Sequence, residues 1–85
     1  MTAQHDAGAV EVFTQTHCAG CREVERYLRD RGVAFKARRV DSEPAALEEI
    51  AARGYMTTPV TRIGEQWISG YKRRKLERAL KAIGR

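Results

Sequence analysis

The sequence predicts one domain of the α/β class, a four-stranded mixed sheet flanked by three helices. Segments rich in β-branched and aromatic residues alternate with segments whose apolar residues recur at helical spacing. A helix separates the first two strands, which indicates a parallel pair with a right-handed crossover. Only Gly64 and Glu65 separate the last two strands, which indicates an antiparallel hairpin. The 85 residues suit a single domain over 1–85, with an ordered core at about 9–83.

The first half of the chain contains a strand, a helix and a second strand. Residues 9–14 read A-V-E-V-F-T, a composition that suits a short buried strand. A helix is predicted from residue 21 to about residue 31, with Gly32 as its stop signal. Residues 33–40 form the second predicted strand. The apolar positions expected on the buried face of the helix are Cys21, Val24, Tyr27 and Leu28.

The second half begins with a helix and continues through the hairpin to a final helix. The side chains of residues 41–43 offer oxygens that can cap a helix, and Pro44 suits its first turn. This helix ends near Gly54, and the hairpin strands occupy residues 58–63 and 66–69. Leu47, Ile50 and Ala51 are expected to face inward in the second helix, and Leu76, Ala79, Leu80 and Ile83 in the last.

Positive charge is concentrated at the C-terminal end. The net charge is +5, and residues 71–85 carry seven basic side chains against one acid, Glu77, whereas the rest of the chain is close to neutral. Such a field attracts an acidic protein surface or a phosphate backbone. A solvated helix face is the alternative interpretation.

The sequence shows no feature of a membrane or exported protein. No segment approaches roughly 18 consecutive apolar residues, and the first nine residues lack the apolar core of a signal peptide. We therefore expect a soluble, cytoplasmic protein that acts as a monomer. Its two cysteines are too few for a disulfide scaffold, and their C-x-x-C spacing indicates redox chemistry or metal binding.

The two cysteines lie in the segment H-C-A-G-C, between the first strand and the first helix. Backbone N–H groups and the dipole at a helix N-terminus stabilise a thiolate, so Cys18 is the expected nucleophile. Cys21 follows three residues later on the same side and is the expected resolving thiol. This chemistry uses a redox-active Cys18–Cys21 disulfide and requires no bound cofactor and no metal. His17 either raises the thiolate character of Cys18 or points to solvent.

Over roughly residues 9–83 the chain resembles the glutaredoxins and NrdH-type redoxins of the thioredoxin superfamily. The resemblance rests on the C-x-x-C position, on Thr57-Thr58-Pro59, which matches a Thr-x-Pro motif, and on Ser69-Gly70-Tyr71, which is similar to a Ser-Gly-Phe motif. It implies a thioredoxin fold and thiol-disulfide oxidoreductase activity. It also implies that Pro59 is cis and that the substrate, a peptide or glutathione, is bound by Thr58, Pro59, Gly70 and Tyr71.

The residues after Gly70 bear on the source of electrons. Glutaredoxins usually carry an Asp here that helps to hold the glutathione ammonium, whereas this chain has Lys72, Arg73 and Arg74. Lys72 and Arg73 are, with His17, candidate modulators of the site. The NrdH-type resemblance implies thioredoxin reductase as the reductant and a disulfide-containing protein, such as ribonucleotide reductase, as the substrate. Glutathione stays open as the alternative reductant.

Two aromatic side chains have alternative interpretations. Trp67 and Tyr71 either form an aromatic wall beside the cysteines, or Trp67 occupies a core or half-buried strand position. Tyr27, on the first helix, is expected in the core.

Two other function classes use parts of the same sequence. A zinc or iron–sulfur module would take ligands from His17, Cys18, Cys21 and His5, which is a poor set for a stable zinc site. A cluster bridged between two chains through Cys18 and glutathione is the second metal alternative. A nucleic-acid binder would use the basic C-terminal segment, which lacks interleaved aromatic residues and a recognised binding motif.

Overall fold

Seven secondary-structure elements follow one another in the computed structural model, which describes residues 9–85. Their order is strand, helix, strand, helix, strand, strand, helix, as the sequence predicts. The elements are β1 (Val10–Thr14), α1 (Ala19–Asp30), β2 (Lys36–Arg39), α2 (Pro44–Ala52), β3 (Val60–Ile63), β4 (Gln66–Ser69) and α3 (Arg73–Ala82). Within the described residues, no helix is both long and apolar enough to cross a bilayer.

The four strands form one mixed sheet in the order β2-β1-β3-β4. β1 pairs in parallel with β2, with Val12 opposite Ala37, and in antiparallel fashion with β3, with Val12 opposite Thr61. β3 and β4 form the predicted antiparallel hairpin. Gly64 in its turn has a φ of 61°, a left-handed conformation that glycine adopts without a Cβ clash. The mixed sheet with three helices is the predicted architecture.

The sheet separates two apolar layers. α1 and α3 pack on one face, and α2 packs on the other. Because strand side chains alternate in direction, Val12 faces the first layer and its neighbour Phe13 faces the second. The first layer contains Val10, Val12, Val24, Tyr27, Leu28, Val33, Ile63, Ile68, Leu76, Ala79 and Leu80, and the second contains Phe13, Ala46, Ile50 and Val60.

The predicted inward faces are confirmed for α1 and α3 but not for α2. In α1 all four predicted residues are buried, Tyr27 included. In α2 the prediction is wrong at two positions, since Leu47 is 51% exposed and Ala51 is exposed. Ile50 is buried as expected, together with Ala46. Residues four apart share one face of a helix, and the small side chain of Ala46 lets this face approach the sheet closely.

Two predicted strands begin later than expected, each for a local reason. Val33 lies outside β2 because it completes the end of α1. Its N–H donates to the Leu28 carbonyl at 2.9 Å, while the N–H of Gly32 donates to Arg29, the bonding pattern of a Schellman motif. β3 begins at Val60 rather than at residue 58, because Pro59 has no N–H to offer a sheet.

A polar cluster joins the chain after β1 to the chain after β2. Asp41 accepts hydrogen bonds from the N–H and hydroxyl of Thr16 at 2.9 and 2.8 Å. The Arg39 guanidinium donates to the same carboxylate at 2.9 and 3.1 Å. These bonds, that of Arg39 first and those of Thr16 next, hold the pKa of Asp41 well below its usual range. The cluster fixes the loop that leads to Cys18.

The predicted capping role of residues 41–43 is wrong. The N-cap of α2 is Glu43, and its side chain makes no capping hydrogen bond. Its carboxylate instead accepts from the Arg38 guanidinium at 2.7 and 2.9 Å. Charge-assisted bonds to arginine are stronger than bonds to a neutral N–H, so both acids of this segment are taken by arginines. Pro44 occupies the first turn of α2, as predicted.

Asp41→Asn should lower the free energy of unfolding at neutral pH, because the amide cannot form the charged pair with Arg39. The folded-state pKa of Asp41 lies below the unfolded value of about 3.9. Its contribution is therefore present above about pH 4 and is lost as the pH falls further. Urea unfolding of both proteins between pH 7 and pH 2.5 measures this difference. Glu48→Gln, which removes an exposed carboxylate, is the control, and a pH-independent loss in Asp41→Asn would contradict the assignment.

Candidate active site

Cys18 is the N-cap residue of α1 and has an extended backbone, with φ −119° and ψ 103°. Its Sγ accepts a hydrogen bond from the Cys21 N–H at 3.1 Å. The first N–H groups of a helix have no partner within the helix and carry the positive end of its dipole. The Cys18 sulfur therefore lies where a thiolate is stabilised by the backbone.

The two cysteines form a disulfide, with Cα atoms 5.2 Å apart. They differ in exposure, since Cys18 is half-buried and Cys21 is 1% exposed. A partner in solution can therefore reach Cys18, whereas Cys21 is reached through Cys18. This arrangement suits an attack by one thiol followed by resolution by the other.

Thr58, in the loop before β3, contacts Cys18. Its hydroxyl donates to the Cys18 Sγ at 3.5 Å, and the Thr58–Pro59 peptide bond is cis. The sequence predicts substrate binding by Thr58 but not this hydroxyl contact. The threonine itself was the available signal, because its hydroxyl on Cβ can donate a hydrogen bond to a nearby sulfur.

Gly20 brings α1 into close contact with Pro59. A Cβ at position 20 would lie 3.1 Å from Pro59 Cδ and 3.5 Å from its Cγ. The first of these distances is shorter than an ordinary contact, so a side chain at position 20 would require Pro59 to shift. The sequence predicts no role for Gly20, because Pro59 is 39 positions away and no local pattern reveals their contact.

His17 forms the bend that leads into Cys18. It is exposed and has a φ of 60°, a left-handed conformation that histidine adopts more often than most non-glycine residues. Its side chain forms no hydrogen bond or ion pair with another described residue. The structure thus gives His17 a backbone role, and its influence on the Cys18 thiolate stays a prediction.

The turn after β4 joins the site through Gly70. The Gly70 N–H donates to the Pro59 carbonyl at 2.8 Å, and the next residue, Tyr71, is 39% exposed. Lys72 turns back, since its Nζ donates to the Ser69 carbonyl at 2.9 Å. Gly70 is therefore joined to the loop that contacts Cys18, whereas the ammonium of Lys72 is held by its own turn. Arg73 is exposed in the first turn of α3.

Trp67 and Tyr71 do not contact each other. Trp67 stacks on Phe13 and Tyr55, with ring centroids 5.7 and 6.3 Å away, and the Arg53 guanidinium lies 4.2 Å from its ring. These partners belong to the α2 side of the sheet. The ring of Tyr71 instead meets an α1 tyrosine edge-on at 6.4 Å. The half-buried strand position of Trp67 is confirmed.

Metal ligation has little basis in the described geometry. Between residues 9 and 85, no three His, Cys, Asp or Glu side chains are grouped so that they could hold a metal ion. The sulfurs of Cys18 and Cys21 are bonded to each other. His5, the fourth candidate ligand, lies outside the described residues.

Comparison with known proteins agrees with this geometry. Residues 10–68, which include both cysteines and Pro59, match the family model Glutaredoxin. The Glutaredoxin-like protein NrdH of Shigella flexneri is 30% identical over 63 residues, which cover 74% of this chain and 78% of that protein.

Two solved structures share the fold over most of their length. A mutant of the thioredoxin-like protein BC3987 superposes with a TM-score of 0.82 at 26% identity, covering 86% of this chain and 95% of the other. The NrdH-redoxin from Escherichia coli superposes with a TM-score of 0.77 at 29% identity, covering 81% and 91%.

The fold, the cysteine pair at the start of α1 and the matched region lead to one assignment. The architecture is the thioredoxin fold, and the members of this family are thiol-disulfide oxidoreductases. A redox-active disulfide, a disulfide-containing protein substrate and a reductant are the components of that chemistry. This chain belongs to the glutaredoxin family, as a glutaredoxin-like redoxin of the NrdH type.

Proposed function

We propose that the protein is a dithiol electron carrier that reduces a protein disulfide, with ribonucleotide reductase as the first candidate substrate, and that thioredoxin reductase recycles it. The observation that carries this proposal is the setting of Cys18, a half-buried sulfur that accepts from the Cys21 N–H and the Thr58 hydroxyl. The similar Escherichia coli NrdH-redoxin is described as having a thioredoxin-like activity profile, which supports a protein reductant.

The first chemical step belongs to Cys18. In the reduced protein its thiolate attacks one sulfur of the substrate disulfide and forms a mixed disulfide. The substrate S–S bond breaks, and the released substrate thiolate takes a proton from solvent. The N–H groups of α1 stabilise the attacking charge, and the partial exposure of Cys18 gives the substrate access.

The second step belongs to Cys21. Its sulfur loses a proton and attacks the Cys18 Sγ, so the mixed disulfide breaks and the second substrate thiol leaves. The Cys18–Cys21 disulfide remains on the carrier, and two electrons have passed to the substrate. A reductase then returns two electrons, and one proton restores the Cys21 thiol while Cys18 returns to the thiolate. Because Cys21 is buried, its sulfur reacts with the mixed disulfide at Cys18 and not with disulfides in solution.

The substrate segment is expected to lie along Thr58 and the turn after β4. Thr58 borders Cys18, and Gly70 is tied to Pro59 by its N–H. An extended chain can pair with exposed backbone groups in the manner of an added strand. We infer that Thr58, Pro59, Gly70 and Tyr71 bind this segment. A cytoplasmic location suits the role, because cytosolic thiols are kept reduced.

Glutathione is the second candidate reductant, and the charges near the site argue against it. Its specific binding requires a partner for one ammonium as well as for two carboxylates. Residues 70–76 contain no acid, and the carboxylate of Glu77 lies 3.7 Å from the Arg31 guanidinium. The segment that would hold the ammonium therefore carries positive charge, which favours a protein reductant.

Substitution of each cysteine separates the two thiol roles. Cys18→Ser should reduce turnover to the background rate, because the attacking sulfur is lost. Cys21→Ser should still attack and then accumulate mixed disulfides, seen by mass spectrometry as an added substrate mass that a reductant removes. If a limiting alkylating agent modifies Cys21 before Cys18 near neutral pH, the two assignments are reversed.

Thr58→Val should shift the pH profile of Cys18 alkylation to higher pH, because the thiolate loses one hydrogen-bond donor. A bond to a charged group contributes about 1.5 kcal/mol, so the shift should be at most about one pH unit. Thr57→Val is the matched control, since the Thr57 hydroxyl donates to the Thr58 carbonyl instead of the sulfur. Equal shifts in the two variants would show that the hydroxyl contact has no effect on the thiolate.

The reductant is identified by NADPH consumption on one protein disulfide substrate. Thioredoxin reductase should support turnover, while glutathione with glutathione reductase should support little, because the ammonium of glutathione has no acidic partner after β4. The Cys18→Ser protein provides the background for both couples. Turnover with the glutathione couple alone would make the protein a glutathione-dependent glutaredoxin.

A further inference from the structure

The basic side chains on one side of the sheet form ion pairs with acids, whereas most of those on the other side do not. Near β2 the arginines are neutralised by neighbouring acids. The Arg38 guanidinium lies 2.7, 3.1 and 3.6 Å from three carboxylates, and Arg39 lies 2.9 Å from Asp41. Electrostatic stabilisation of the fold is therefore concentrated on this side.

Eight exposed cations of α1 and α3 form no hydrogen bond or ion pair with any residue between 9 and 85. Of these, Arg29 lies over the Phe35 ring, and Lys75 lines none of the grooves described below. We call the other six the basic strip. It consists of Arg22, Arg26, Arg73, Arg74, Arg78 and Lys81.

The basic strip begins beside the nucleophile. A shallow groove along the start of α1 extends from Ala19, the neighbour of Cys18, to Arg26 and beyond. A second groove, between α1 and the start of α3, is lined by three arginines, two acids and two tyrosines: Arg26, Arg31, Arg73, Glu23, Asp30, Tyr27 and Tyr71. Because both grooves share Arg26, they form one continuous surface. A third groove, on α3, is lined by Arg74, Arg78 and Lys81 together with Glu77.

Local stability of α3 does not account for the charges in its first turn. Its first turn contains Arg73, Arg74 and Lys75 and no acid, and its N-cap, Lys72, makes no side-chain capping bond. Cations at a helix N-terminus oppose the helix dipole, and arginines four residues apart, as at Arg74 and Arg78, repel each other. The charges in the first turn of α3 thus lower the stability of this helix.

We propose that the basic strip binds an acidic face of the redox partner, next to the site where that partner's disulfide or dithiol meets Cys18. This inference rests on the proposed function, because it assigns the partner to the same dithiol. Complementary charge raises the association rate more than the final affinity, which suits a carrier that must dissociate after each exchange. The strip begins at the active-site helix, and this position favours a protein partner over a nucleic acid.

Two synthetic peptides test the preference directly. Both contain the same Cys-x-x-Cys disulfide, flanked on each side by four Glu in one and by four Lys in the other. A four-residue arm spans about 13 Å when extended, and α1 advances about 10 Å from Ala19 to Arg26, so an arm reaches the strip. The rate constant for reduction by the pre-reduced protein is measured after acid quenching. Reduction by dithiothreitol corrects for the intrinsic reactivity of each disulfide.

The corrected rate with the Glu peptide should exceed that with the Lys peptide by about tenfold in about 10 mM salt. The difference should nearly vanish in about 1 M salt, because the screening length falls from about 30 Å to about 3 Å. Equal corrected rates at low salt would overturn the proposal.

Arg74→Glu and Lys75→Glu form a matched pair of variants. Both change the net charge equally and in the same turn, but Lys75 is not among the residues that line the three grooves. Arg74→Glu should lower the Glu-peptide rate about threefold or more, and Lys75→Glu should lower it much less. Both should raise the melting temperature, because an acid suits this end of the helix. Equal rate losses in the two variants would overturn the role of the strip.

Two further measurements separate this inference from its alternatives. Tight binding of a single-stranded RNA oligonucleotide at about 0.15 M salt, abolished in Arg74→Glu, would replace the protein partner by a nucleic acid and overturn the proposal. If thioredoxin reductase does not recycle the wild-type protein, the reductant in the proposed function is wrong. The peptide rates still decide the preference of the strip, because they require no reductase.

Discussion

The free backbone N–H groups at the start of α1 are the interaction on which the site depends. They place stabilising dipoles on the Cys18 sulfur, and the surrounding structure determines where this helix begins. β1 ends just before the site, the hydrogen bonds between Thr16 and Asp41 hold the loop, and the left-handed backbone of His17 turns the chain into the helix. The polar cluster after β2 is thus part of the support for the nucleophile.

The fold and the cysteine site could be predicted because their signals are local. Strand composition, helical spacing and a two-residue hairpin turn are each contained within a few neighbouring residues. The features that the sequence does not predict depend instead on contacts between residues that are distant in the sequence. The pairing of Asp41 with Thr16 spans 25 positions, and the contact of Thr58 with Cys18 spans 40. Leu47 and Ala46 are both apolar, so only the packing of α2 on the sheet decides which of them is buried.

The charges that stabilise the fold and the charges proposed to bind a partner lie on different sides of the sheet. On the β2 side, each acid near Arg38 and Arg39 has a cation within bonding distance, so little net field extends into solvent. On the α1 and α3 side, the six cations of the basic strip form no ion pair with a described residue, and the positive charge that exceeds the acids of this side lies on α3. A small domain has a small free energy of unfolding, and the destabilising charges of this chain are confined to the start of α3.

The contact of Gly20 with Pro59 makes position 20 a spacer between two functions. The helix that activates the nucleophile and the loop that receives the substrate meet at this point, with only a hydrogen atom on one side. A side chain there would require the loop to shift, and with it the Thr58 hydroxyl that donates to the Cys18 sulfur. The width of the substrate cleft and the reactivity of the thiolate are therefore coupled through this loop, so a change at position 20 alters both which disulfides enter and how readily the sulfur attacks them.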